Sequence, residues 1–222
     1  MSAGKRPKKF VFTRREPDLS REFPVEAQPS TLFDGRDVEI SERRIEGLKW
    51  EGQKAGTLNI EGCVLERVSF ANSAFGSIRM KDVRLVGCDL ANLETRGLTL
   101  IRVELLQCRM TGLHAGEADC QDVRIADGDQ RYGLFRFSRF RSAEFDSCNF
   151  EEADFQGTDL TGARFRKCNL HNAEMSKAKL LNADLRGSSV EGLRLNAEDL
   201  RGATVDAAQA LIFAGLLGIR IE

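Results

Sequence analysis

Four cysteines recur at one phase of a 20-residue period, and their thiols are the side chains most capable of chemistry. They are Cys88, Cys108, Cys148 and Cys168. Four thiolates could bind zinc, but structural zinc sites use closely spaced cysteine pairs and not a row of single cysteines. Free cysteine otherwise behaves as a small hydrophobic residue and is typical of the reducing cytoplasm. We therefore predict that these four, with Cys63 and Cys120, are core residues of a cytoplasmic protein with no metal, cofactor or disulfide.

The histidines and carboxylates show no catalytic spacing. His114 and His171 lie 57 residues apart, which does not favour a Ser/His/Asp triad or a histidine-metal site. Acidic residues instead recur directly before apolar residues, as at Asp89, Asp154 and Asp184. Such a recurrence is typical of side chains that accept hydrogen bonds from neighbouring turns. We predict that the chain has no catalytic residue and is not an enzyme.

A five-residue repeat must position all of these residues. Of the 34 positions divisible by five from Ile40 to Val205, 32 are apolar, and the exceptions are Thr95 and Gln130. The residue two places earlier is small or apolar almost throughout, and 11 of the 20 glycines lie two places later. A period of five fits neither a helix nor a strand. Each unit is therefore a short extended piece followed by a turn, and the repetition indicates a solenoid.

The repeat is plainest between residues 153 and 185, in Ala153-Asp154-Phe155, Thr158-Asp159-Leu160, Cys168-Asn169-Leu170 and Ala183-Asp184-Leu185. In these residues the chain resembles the pentapeptide-repeat family. The resemblance implies an all-β fold, a right-handed quadrilateral parallel β-helix with four pentapeptides in each square coil. It also implies that the central residue and its small partner point inward and that residues 20 apart stack.

The segment before the repeats differs from them in composition. Residues 1–30 hold all four prolines and form a basic N-terminal arm. Seven basic residues against Glu16 and Asp18 give residues 1–21 a charge of +5, which leaves −6 for the rest of a chain whose total is −1. A flexible tail is one interpretation, and docking of Phe10-Val11-Phe12 on the solenoid or a partner is the other. No long apolar run follows, so we expect no signal peptide or membrane span.

The β-helix is expected to cover residues 31–205, with a protruding loop near residues 126–134. In that stretch Gln130 occupies a central position, and Gly128 and Gly133 occupy the partner positions. Such polar and glycine substitutions within an apolar pattern are typical of loops.

Residues 206–222 are expected to form a C-terminal helix and tail, with Asp206 as N-cap and Gly218 near the helix end. Its large apolar residues are too many for a helix with one solvated face. We predict a lid on the last coil that also makes a homodimer contact, as C-terminal segments of related proteins do. The candidate dimer residues are Leu211, Phe213, Leu216 and Leu217.

Aromatic and charged residues at outward phases are the candidates for binding a partner. They are Arg131, Tyr132, Arg136, Phe137, Arg139, Arg141, Glu144, Glu151 and Glu152. An exposed basic and aromatic cluster could bind an acidic partner, whereas the alternative is an ordinary corner with solvated arginines.

We expect a non-enzymatic protein-binding solenoid whose partner the sequence does not identify, and neither membrane nor direct nucleic-acid binding. The alternative comes from the resemblance, because quinolone-resistance members are acidic rod-shaped dimers that mimic DNA. This chain would then bind DNA gyrase, a type II topoisomerase, and protect it from inhibitors such as quinolones. DNA mimicry needs a continuous negative face. Arg164, Arg166 and Lys167 interrupt the densest acidic stretch, so the sequence favours the first interpretation.

Overall fold

The structure, a computed structural model, describes residues 10–19, 23 and 35–220. The described residues form a parallel β-solenoid followed by a short helix. The strands are β1 (Val38–Ser41), β2 (Arg44–Glu46), β3 (Lys54–Glu66), β4 (Ala74–Val86), β5 (Glu94–Thr95), β6 (Leu98–Leu106), β7 (Asp119–Ala126), β8 (Arg139–Arg141), β9 (Glu144–Asp146) and β10 (Arg164–Arg166). Helix α1 (Ala207–Ala214) continues into a 3-10 turn, Gly215–Leu217.

Residues 20 positions apart pair along the whole solenoid, from Val38 with Leu58 to Asp184 with Thr204. Four five-residue units therefore complete one turn, which confirms the fold predicted from the repeat. We number the four sides by their central residues. Side 1 contains Ile40 and Ile60, side 2 Ile45 and Leu65, side 3 Trp50 and Phe70, and side 4 Ala55 and Phe75.

The loop predicted near residues 126–134 is wrong, because this stretch keeps the 20-residue pairing. Asp129 pairs with residues 109 and 149, and Leu134 pairs with residues 114 and 154. Gln130 remains a central, fully buried residue. Gly128 accommodates it, because a side chain at that position would collide with the Gln130 amide. The small glycine at the partner position thus makes room for the long glutamine at the central position, and the coil is unbroken.

The corner residues two places after the central positions take a left-handed conformation at most corners. Glycines such as Gly62 and Gly157 occupy some of these positions, with φ angles of 61° and 67°. Many others carry a side chain, including Asn92 with φ 51° and Asn172 with φ 54°. The stacked backbone therefore helps to impose the left-handed conformation at the corners. Glycine tolerates this conformation most readily, but it is not required at every corner.

The core fills the interior of the coil with the central residues and their partners. Aliphatic side chains such as Leu65 and Val83 are fully buried in the first turns. Stacked and edge-to-face phenylalanines replace them further along, with centroids 5.0 Å apart for Phe135 and Phe155 and 4.7 Å apart for Phe145 and Phe165. These distances lie in the favourable range for aromatic pairs.

Helix α1 closes the C-terminal end of the solenoid. Asp206 is its N-cap and forms a reciprocal capping box with Gln209, as the helix start predicted from the sequence requires. The buried Gln209 amide donates to the carbonyl oxygens of Leu185 (2.6 Å) and Ser188 (2.7 Å). Gly218 ends the helical segment with φ 70°. The side chain of Gln209 thus attaches the helix to the open end of the last coil.

Candidate partner-binding surfaces

On sides 1 and 2 of the coil, many of the outward residues before the central positions form ladders of alternating charge. On side 2 this ladder is Arg84, Glu104, Arg124, Glu144, Arg164 and Asp184. Arg84 lies 2.8 Å from Glu104, and Glu144 lies 3.4 Å from Arg166. On side 1 the ladder is Asp119, Arg139, Asp159 and Lys179, and Lys179 lies 3.8 Å from Asp159. Stacking at a spacing of 20 thus places opposite charges next to each other instead of forming a continuous acidic face.

The acidic residues that recur before the central positions have a structural role. The carboxylates of Asp89, Asp154 and Asp184 each accept a hydrogen bond from the backbone N–H two residues later, at 3.0–3.2 Å. This bond is the local turn interaction that aspartate and asparagine favour. It also lowers the pKa of Asp184, after the larger effect of the Arg186 guanidinium. These three carboxylates therefore hold corners of the coil.

The six cysteines are buried core residues, as predicted. Burial raises the pKa of the Cys63 and Cys120 thiols, so both remain protonated at neutral pH. Within residues 10–19, 23 and 35–220, no group of histidine, cysteine, aspartate and glutamate side chains is arranged to hold a metal ion.

The nine candidate partner-binding residues do not form one patch. Sides follow one another every five residues, so Arg131, Glu151, Tyr132 and Glu152 lie on side 3 and the corner after it, in two stacked coils. Arg136 and Phe137 lie on side 4 and its following corner, Arg139 and Arg141 on side 1, and Glu144 on side 2. The cluster therefore extends around the coil.

Most of the charged candidates bind other side chains of the solenoid. Arg131 donates to both carboxylate oxygens of Asp129 at 2.8 and 2.9 Å. Arg136 donates to Asp154 at 2.6 Å, and Arg141 donates to Asp119 at 2.8 Å. These hydrogen bonds hold the three arginine side chains in fixed positions on the surface.

The two aromatic candidates are exposed. Tyr132 is 49% exposed on the corner after side 3, and Phe137 is 63% exposed on the next corner. The Phe137 ring lies over Gly157, which would collide with it if it carried a side chain. We call Tyr132 and Phe137 the aromatic corners.

The N-terminal arm is docked on the solenoid over residues 10–19, which excludes a flexible tail for this part of the arm. Arg14 lies 3.0 Å from Glu104, and Arg15 lies 3.1 Å from Asp122. The guanidinium of Arg164 covers the ring of Phe12 at 4.1 Å from its centroid. The remaining residues of the predicted arm, except for residue 23, lie outside the described part of the chain.

The four candidate dimer residues of the C-terminal segment differ in their exposure to solvent. Phe213 is buried against its own last coil beside Leu200, Ala203 and Val205, so it belongs to the lid and not to an outer surface. Leu211 is 59% and Leu216 41% exposed, and the neighbouring Ile212 and Ile219 are exposed as well. The side chain of Leu217 lies outside the described residues.

The family model for pentapeptide repeats matches residues 134–166 and 154–192, with eight copies of the repeat. Residues 134–192 of the chain therefore carry repeats of the pentapeptide-repeat family. The solenoid continues the same register on both sides of the matched segment, since the pairing at a spacing of 20 begins at Val38. No curated protein sequence matches the chain significantly.

Solved structures similar to this pentapeptide-repeat protein include forms of QnrB1, described as a plasmid-mediated fluoroquinolone resistance protein. A trypsin-treated variant is 14% identical, with 85% of this chain and 100% of that chain covered and a TM-score of 0.37. Full-length QnrB1 is 17% identical, with 82% and 100% covered and a TM-score of 0.23. The pentapeptide-repeat protein Rfr23 from the cyanobacterium Cyanothece 51142 is 14% identical, with 74% and 92% covered and a TM-score of 0.17.

Three outward carboxylates are functional candidates that the sequence analysis missed. Asp82, Glu104 and Asp122 are only 4–6% exposed because the arm covers them. The alternation of Phe10, Phe12 and Arg14 was a signal for one docked face, since alternate side chains of an extended segment point the same way.

None of the helices in the described part of the chain has the length and apolar character that crossing a bilayer requires. The cytoplasmic location stays a prediction.

Proposed function

We propose that this pentapeptide-repeat protein is a non-enzymatic protein-binding solenoid that engages its partner through the aromatic corners. The observation that carries the proposal is the exposure of Tyr132 and Phe137, at 49% and 63%, on neighbouring corners of one rigid coil. Large aromatic side chains are enriched at the centres of protein interfaces. Their solvent exposure is costly unless a partner covers them, since burial of apolar area is favourable.

The surroundings of the aromatic corners support a protein partner. Arg131 and Arg136 flank the two rings and are held in place by Asp129 and Asp154. A preorganised arginine loses little side-chain freedom when a partner binds, because its geometry is already fixed. The inward residues serve as core and the recurrent aspartates hold turns, and these structural roles support a non-enzymatic function.

The alternative function, mimicry of DNA for gyrase or another type II topoisomerase, is less well supported by the surface. The ladder on side 2 alternates in sign, and Arg84 and Arg102 are paired with Glu104 and Asp82. Ion pairs between neighbouring coils cancel the field that a DNA mimic must project. A gyrase supercoiling assay with a quinolone tests this alternative, and protection of the enzyme would establish it.

A homodimer through the C-terminal helix is part of the proposal. Leu211 and Leu216 leave apolar surface exposed at the end of the rod, and a two-fold contact between two such ends would bury it. Leu211→Asp with Leu216→Asp should give a folded monomer in sedimentation velocity where the wild type is a dimer. Leu181→Asp, at another exposed leucine, is the control. A wild type that is monomeric at tens of micromolar would refute the dimer.

Affinity capture from extract of the source cells tests the aromatic corners. The baits are the wild type, a Tyr132→Ala and Phe137→Ala double variant, and Leu181→Ala, which removes an exposed apolar side chain elsewhere. A protein retained by the wild type and Leu181→Ala but lost from the double variant supports the proposal. If all three baits retain the same proteins, the aromatic corners are not the binding surface.

A further inference from the structure

Three carboxylates at outward positions are as buried as core residues. Asp82 is 6%, Glu104 5% and Asp122 4% exposed. Asp82 and Asp122 lie on the corner between sides 1 and 2, two coils apart, and Glu104 lies on side 2 in the coil between them. We call these three residues the acidic corner. Buried carboxylates require hydrogen bonds and compensating charge.

The docked arm supplies the acidic corner with hydrogen bonds and with compensating positive charge. Arg14 donates from Nη2 to Glu104 Oε1 at 3.0 Å. Arg15 donates to the two oxygens of Asp122 from its backbone N–H and its Nε, both at 3.1 Å. The backbone N–H of Asp18 donates to Asp82 at 2.9 Å. The segment is thus recognised through two consecutive arginines and through its extended backbone.

The aromatic residues before the arginines continue the same contact. Phe12 lies under the Arg164 guanidinium, a cation–π contact that is worth more when shielded from water. The ring of Phe10 lies against Gly162 on the corner between sides 1 and 2, where a larger residue would collide with it. The arm therefore runs along the solenoid axis from the coil of Gly162 back to that of Asp82, in contact with successive turns.

Asp122 depends on the arm more than the other two carboxylates do. Arg102 also pairs with Asp82 at 2.5 Å, and Arg84 pairs with Glu104 at 2.8 Å, so both have a cation within the solenoid. Burial by itself would raise the pKa of Asp82, but the hydrogen bonds from Arg102 and Asp18 lower it on balance. Among the ion pairs of the described residues, Arg15 is the cation that reaches Asp122.

We propose that the acidic corner is a binding site for an extended segment with two consecutive arginines, which the chain's own arm fills, and that a partner protein binds there by displacing the arm. This inference rests on the proposed protein-binding function and names the chemistry of one partner. Residues 1–21 carry +5 and the remainder −6. Displacement of the arm would therefore remove the cations of the arm that face the acidic corner and leave it free for another basic segment.

A peptide with the sequence of residues 8–19 serves as the probe, with binding to the full chain measured by fluorescence anisotropy. In the wild type the arm competes for the corner, and the apparent affinity falls with the fraction of molecules whose site is free. Arg14→Ala with Arg15→Ala weakens the arm in cis, so we expect this variant to bind the peptide about tenfold or more tightly than the wild type does.

Two further variants identify the site of binding. Asp122→Asn added to the double variant should abolish the gain in peptide affinity. Asp159→Asn, at an aspartate paired with Lys179 on side 1, should leave that gain unchanged. A peptide with alanine in place of both arginines should not bind. Equal binding to the wild type and the double variant, or a gain that survives Asp122→Asn, would overturn the proposal.

Hydrogen exchange tests the same site in a chain whose arm is intact. The amides of Arg15 and Asp18 donate to the acidic corner and should be protected in the wild type. Asp122→Asn should lose protection at Arg15, and unchanged protection would count against the role of Asp122. If the peptide of residues 8–19 does not bind at the acidic corner, the capture result at the aromatic corners is unaffected. The two proposals can therefore fail separately.

Discussion

The two halves of the solenoid fill the same square interior in different ways. The aliphatic half, residues 58–126, uses bulky partners such as Val83 and Val103 with leucine, isoleucine or methionine at the centre. The phenylalanine half, residues 134–195, uses alanine partners such as Ala153 and Ala163 and places many phenylalanines at the centre. The small alanine partners thus offset the larger central rings, as a close-packed core requires.

A small cavity interrupts the packing of the aliphatic half. A cavity of about 30 Å³ lies in the aliphatic half and reaches its boundary with the phenylalanine half. It is lined by apolar side chains that include Leu105, Met110, Cys120 and Phe135. A cavity of this kind stays dry because it offers water no hydrogen-bond partner. We expect flat rings that stack every 20 residues to leave less unfilled space than branched aliphatic side chains do.

The halves also differ in backbone regularity. Strands β3 and β4 run for 13 residues each and pass through the corner at Thr57 and Ser77, which do not take the left-handed conformation. In the phenylalanine half the corners from Phe137 to Gly192 are left-handed, and the strands shorten to three residues or to isolated bridges. β-branched partners favour the extended backbone of the aliphatic half.

Phe155→Ala should have the largest effect, since it removes a fully buried ring from the phenylalanine half. The loss is about 3–5 kcal/mol, because the stacked ring of Phe135 and the edge-on ring of Phe150 are held by the coils and cannot fill the space. Glu152→Ala, at an exposed corner, should change stability by about 0.5 kcal/mol or less. Chemical denaturation measures both, and equal shifts would contradict the inward and outward assignment.

Ala153→Val tests whether the phenylalanine half lacks free space. Ala153 is 0% exposed, and two added methyl groups should displace the neighbouring rings at a cost of about 1–3 kcal/mol. The same denaturation experiment applies. A variant as stable as the wild type would show that this half is no better packed than the other.

Gln130→Leu tests the boundary between the halves. The Gln130 amide is fully buried, and neither of its polar atoms has a hydrogen-bond partner among the described residues. Replacement by an apolar side chain of similar size should stabilise the protein by about 1–3 kcal/mol. Gln156→Leu, at a half-buried outward position, is the control and should change stability by about 0.5 kcal/mol or less. Destabilisation by Gln130→Leu would indicate that the amide has a partner.

Cys120→Val should have the smallest effect. Cys120 lies in strand β7 and lines the cavity, so the extra methyl group enters existing space. We expect a change of about 1 kcal/mol or less, read as a shift of a few degrees in the thermal midpoint. A loss of stability as large as that caused by Ala153→Val would contradict the difference in packing that we expect between the two halves.

Local periodicity explains why much of the fold could be predicted. Each five-residue unit repeats one conformation, so the positions of Leu65 or Phe155 fix their inward direction without knowledge of distant contacts. The helix cap at Asp206 was equally local, because N-capping involves residues within one turn. The loop near residues 126–134 was wrong because Gln130 and Gly128 compensate each other in space, which a one-position pattern does not reveal.

The five-residue repeat, the inward residues and the terminal helix could all be predicted from the amino-acid sequence. The three-dimensional structure was needed to show that Phe213 closes its own coil while Leu211 stays exposed. It was also needed to show that Arg14 and Arg15 bind carboxylates 90 and 107 residues away in sequence. These contacts depend on the stacking of separate turns and on the path of the arm across them. No local pattern encodes that geometry, because the repeat specifies each turn and not what docks upon it.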